Sequence, residues 1–122
     1  MIFSSDLNRN SRFDAPFVRT DRDNEYLIFS RITRQLQQAT ESNDRRLMIE
    51  AAYANNELWT ALAADLSHPG NGLPDNVKAG ILSLAIFSIK LGQRVLSKND
   101  SADPLIEINT KMMKGLRGEI QL

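Results

Sequence analysis

The chain has 122 residues, 42% hydrophobic and 25% charged, which is ordinary for one soluble globular domain with a single core. Fifteen basic residues cancel fifteen acidic ones, so no long-range field draws the chain to nucleic acid or anionic lipid. The lack of cysteine excludes disulfides, thiol catalysis and cysteine metal sites, and fits a reducing compartment.

Residues 1–19 scatter Phe3, Leu7, Phe13, Phe17 and Val18 among Asn, Ser, Asp and Arg, with no sustained period. The expectation is a flexible N-terminal tail, whose apolar residues have docking on the domain or a partner as their alternative role. No basic start followed by an apolar run is visible, so no signal peptide is expected.

Thr20 or Asp21 can cap a first helix to about Ala39, with Tyr26, Phe29, Thr33 and Leu36 on a wide apolar face. Thr40 to Asp44 is a polar break. A second helix follows from about Asp44 to Leu66, with Leu47, Ala51, Ala54, Leu58, Ala61 and Leu66 as its stripe. Trp59, the only tryptophan, lines up with Met48, Ala52 and Asn55 on the flank of that stripe. Ala and Leu dominate Trp59 to Leu66, and both are strong helix formers.

Pro69 cannot continue this helix. Gly70, Asn71 and Gly72 are residue types that accept positive φ, and Pro74 suits the first turn of the next helix. Gly70, Asn71, Gly72 and Pro74 therefore read as a structural loop, with Asn71 in left-handed conformation. A third helix is expected from Pro74 or Asp75 to about Leu96, with Val77, Ile81, Leu84, Ala85, Ile89 and Leu91 as its main stripe. Leu82, Ile86 and Phe87 make its middle apolar nearly all round, which predicts a buried, central helix. Its most apolar stretch, Ala79 to Leu91, is interrupted by Ser83, Ser88 and Lys90 and is too short to span a bilayer. No membrane insertion is expected.

After the polar linker from Ser97 to Ala102, Asp103 is expected to cap a last helix with Pro104 at its first position. Leu105, Ile108, Met112 and Leu116 repeat at helical spacing, and Gly115 and Gly118 are expected to end it. No strand pattern appears. The prediction is an all-α protein of about four helices in an up-and-down bundle over residues 20–122, behind the tail of residues 1–19.

Catalytic equipment is sparse. His68 is the only histidine, so no two-histidine metal site can form within one chain, and its place before Pro69 reads as an exposed loop residue. No phosphate-binding Gly-x-x-x-x-Gly-Lys loop is present. The expectation is a protein that is not an enzyme and holds no cofactor or metal. Four residues stand out as partner-binding candidates. Trp59 is either core or an interface anchor. Asn109 lies on the apolar side of the last helix, where a buried amide must be hydrogen-bonded. It ties that helix to the Gly70–Leu73 loop or another helix, or else reads a partner's backbone. Asn71 is the loop candidate. Met112 and Met113 are adjacent, so they cannot both face inward, and Met113 is taken as the adaptable contact.

Three groups of residues carry a family resemblance. Asn56, Leu58 and Trp59 are followed by Asp65 and Leu66, and then by Gly70, Asn71, Leu73 and Pro74. The chain closes on Asp103-Pro104-Leu105-Ile106-Glu107-Ile108-Asn109 and Met113-Lys114-Gly115-Leu116. Asn24-Glu25-Tyr26 through Phe29, Ile32-Thr33 and Leu36 match more weakly. From about Thr20 to Leu116 the pattern resembles the FlaF family, small flagellar biosynthesis regulators of alphaproteobacteria. The resemblance implies a cytoplasmic flagellin-binding protein that supports flagellin export and filament assembly in a chaperone-like way. Its mechanism would be burial of an apolar helical stripe of flagellin in a groove between helices. The regulator FlbT is a further implied partner. The alternative is post-transcriptional regulation of flagellin synthesis, acting with FlbT on flagellin messenger RNA. Neutral charge and the lack of an aromatic–basic motif argue against direct nucleic-acid binding.

Overall fold

A computed structural model describes residues 21–118. The expected tail of residues 1–19 lies outside them. The described chain forms four helices: α1 Asp21–Ser42, α2 Arg45–Leu66, α3 Asp75–Lys98 and α4 Asp103–Leu116. The neighbouring pairs are α1–α2, α2–α3, α3–α4 and α4–α1, so the helices close a ring with α2 diagonal to α4. This is the expected up-and-down bundle, and no strand occurs among the described residues.

The helix ends show where local chemistry acts. Asp44 caps α2 by accepting the Leu47 amide at 3.1 Å. Asn43 and Asn99 end α1 and α3 with φ of 52° and 57°, in the left-handed region. Asparagine tolerates that region better than most residues, and here it reverses the chain after each helix. Arg45 then crosses to the end of α3. Its guanidinium donates to Val95 O at 2.8 Å, Leu96 O at 2.6 Å and Asn99 Oδ1 at 2.9 Å. The last carbonyls of a helix lack the usual partner from a following turn, and a cation there suits the helix dipole.

Three boundary expectations need correction. Asn71 and Gly72 do not hold positive φ; among the described residues only Asn43, Asn99 and Gly118 do. Asp103 is already helical and Ala102 takes the cap position, because the Ser101 hydroxyl accepts the Asp103 amide at 3.1 Å. α3 begins at Asp75, the second of its two expected starts, with Pro74 one residue before it at the cap position and at an extended ψ of 148°. Gly118, at φ 78°, follows the end of α4, whereas Gly115 lies within that helix.

The core has two connected regions. The larger one gathers Phe29, Trp59, Leu62, Ile81, Ala85 and Met112. The smaller one gathers Leu36, Ala51, Ala52, Val95 and Leu105 near the α1–α2 turn. The ring of Phe29 meets Trp59 edge-on, with centroids 5.4 Å apart and planes at 75°. The expectation that α3 is buried and central is overturned. It buries one stripe, Ile81, Ala85, Ser88, Gly92 and Val95, and leaves Ile86 56% and Phe87 55% exposed. In a ring of four helices each member keeps a solvent side, however apolar its sequence.

Candidate functional site

A chain of polar side chains crosses the middle of the bundle. The Trp59 indole N–H donates to Asn109 Oδ1 at 3.0 Å. Asn109 Nδ2 donates to Asn55 Oδ1 at 2.8 Å, and Asn55 Nδ2 lies 3.5 Å from Ser88 Oγ. All four residues are fully buried. Indole can only donate, so Asn109 must turn its oxygen to Trp59, and the order of the two amides follows from that. The relay joins diagonal helices α2 and α4 and continues to α3.

Trp59 and Asn109 therefore point inward and belong to the same structure. Asn109 ties α4 to α2 rather than to the Gly70–Leu73 loop. Sequence reading did not assign Asn55 or Ser88 to this relay. The available signal was their position: each is a polar residue at core spacing in an apolar helix. No sequence rule pairs residues 33 or 54 positions apart.

The loop between α2 and α3 is organised by its own side chains. Asn71 Oδ1 accepts the Leu73 amide at 3.0 Å, and the Asn71 amide donates to His68 O at 3.0 Å. His68 Nδ1 accepts the Gly70 amide at 3.0 Å. Asn71 is 7% exposed. It thus builds the turn through its side chain, as Asn commonly does, without left-handed backbone. Met112 is fully buried, while Met113 is half-buried against the main core.

Of the predicted candidates, the structure unites Trp59 with Asn109 and leaves Asn71 and Met113 apart from them. What the molecule offers outward is different. Among the described residues, Leu27 on α1, Ile49 and Tyr53 on α2, and Ile86 and Phe87 on α3 are the large exposed apolar side chains. Sequence reading assigned Ile86 and Phe87 to the core because α3 is apolar nearly all round. Among the described residues, no three His, Asp or Glu side chains gather in a way that could hold a metal ion. Among the described residues, one helix, α3, is long and apolar enough by composition to cross a membrane, and it is packed here as a bundle member.

These features define an all-helical protein, a four-helix bundle with a buried polar relay at its centre and large apolar side chains outside. The chain belongs to the FlaF family, described as flagellar protein FlaF, whose model matches residues 12–116. No curated protein and no solved structure matches the chain.

Proposed function

We propose that this protein binds unassembled flagellin in the cytoplasm and supports its export and filament assembly as a non-enzymatic, chaperone-like partner. Membership of a flagellar family supports the setting. The observation that carries the binding role is the pair of large apolar side chains Ile86 and Phe87 on α3, each more than half exposed. Large apolar groups left in water on a small helical domain suit an apolar helical stripe of a partner. Flagellin segments that fold only on assembly would present such a stripe.

The test is a titration of labelled monomeric flagellin, and separately of labelled flagellin-messenger leader, at several salt concentrations. Flagellin should bind, with affinity changing little between low and moderate salt. Phosphate-driven RNA binding would instead fall steeply with salt, because counterions are released. Tight, salt-sensitive leader binding without flagellin binding would replace this reading with the messenger-RNA one. Binding to neither would leave a role through FlbT.

A further inference from the structure

The solvent side of α3 changes character along its length. Its first half presents Gly80, Ser83, Ile86 and Phe87, all exposed and none charged. Its second half presents Lys90, Arg94 and Lys98, also exposed. Steps of three and four residues place these groups on one side of the helix. Arg94 pairs with Asp100 at 2.8 Å, while Lys90 and Lys98 make no ion pair with a described residue. The only acidic residue of α3 is Asp75, at the opposite end.

Gly80 adds a second observation. A glycine inside a helix weakens it relative to alanine. A Cβ at Gly80 would meet nothing within 4 Å, so no neighbour in this chain requires its absence. Gly80 and Ser83 are small exposed residues on the same side of the helix as Ile86 and Phe87. A helix can approach closely over small residues and pack against the large ones.

We propose that this side of α3 is the docking surface for an amphipathic helix whose apolar stripe ends in acidic residues. The apolar stripe lies over Gly80, Ser83, Ile86 and Phe87, and the acidic end lies over Lys90 and Lys98. Opposite charge at one end sets the direction of docking, and apolar burial supplies the affinity. The charges are segregated along the axis rather than spread along both flanks of the apolar face. That favours a helix of defined direction over an anionic bilayer, which needs basic residues along the whole length. Naming flagellin as the source of the helix rests on the proposed function.

The experiment titrates monomeric flagellin with the full chain and with the variants Gly80→Leu, Phe87→Glu, the pair Lys90→Glu with Lys98→Glu, and Tyr53→Glu on α2. Every substituted side chain is exposed, and circular dichroism melts verify folding. Gly80→Leu and Phe87→Glu should each weaken binding by roughly tenfold or more. The lysine pair should weaken it less and remove what salt dependence exists, while Tyr53→Glu should bind like the parent. Parent-like binding by both Gly80→Leu and Phe87→Glu overturns this surface and leaves the flagellin reading standing. Failure of the parent to bind flagellin overturns both. Co-sedimentation of the parent, but not of Phe87→Glu, with phosphatidylglycerol vesicles would make the face a membrane surface and overturn helix docking.

Discussion

At the scale of single residues, Asn109 is the most consequential polar side chain. It accepts from Trp59 and donates to Asn55 with both bonds fully buried. Replacing it by leucine keeps the bulk and removes both partners. A buried donor and a buried acceptor would then be stranded, at about 1–3 kcal/mol each. Asn109→Leu should therefore lower stability by about 2–4 kcal/mol in urea unfolding. Adding Trp59→Phe to that variant removes the stranded indole donor and should recover part of the loss. A denaturation curve unchanged by Asn109→Leu would show that the relay contributes nothing. Asn71 acts through its side-chain oxygen, which accepts the Leu73 amide. Asn71→Ala should cost on the order of 1 kcal/mol. A β-branched residue at Asn43 or Asn99 should cost about 1–2 kcal/mol, because those positions hold left-handed backbone.

At the scale of elements, two glycines in α3 make opposite predictions. A Cβ at Gly92 would drive into the Asn56 amide, with Cγ at 2.8 Å, where α2 and α3 press together. Asn56 Oδ1 is buried and has no hydrogen-bond partner. Gly92→Ala should cost about 1–3 kcal/mol through overpacking. Gly80→Ala meets open space and should stabilise the helix by up to about 1 kcal/mol. Thermal melts that move the same way for both would contradict this account. Arg45 is the other joint between elements. Its three bonds close the end of α3 from the start of α2. Arg45→Met retains the stem and should lose on the order of 2 kcal/mol, read as a lower melting temperature.

At the scale of the molecule, α4 completes the ring between α1 and α3 and supplies the centre of the buried relay. A chain ending at Asn99 would expose Trp59 and strand its indole donor. Because Trp59 is the only tryptophan, its emission reports the bundle centre directly. The shortened chain should show red-shifted tryptophan fluorescence and lose its cooperative unfolding transition. Native-like emission and a sharp transition would mean that α1 to α3 form an independent bundle. The exposed apolar groups also belong to this scale. Four helices of unequal length, the last with 14 residues against 24 in α3, cannot enclose every apolar side chain of α3.

The sequence by itself determined the four helices, their order and the family pattern. The reason is local: apolar spacing, Asp44 at its cap, and Pro69 and Pro104 at breaks act within a few residues of themselves. Even there, competing local donors and acceptors shifted details. Ser101 accepts the backbone amide of Asp103, which is helical rather than the expected cap, and the Asn71 side chain built a turn assigned to its backbone. Only the tertiary structure decided the joining of Trp59, Asn109, Asn55 and Ser88, since those partners meet across three helices. It also decided which side of α3 faces water. Apolar residues surround that helix almost completely, so periodicity alone could not choose a buried side. The close fit of α2 against Gly92 and Ser88 selected it, and Ile86 and Phe87 were left outside.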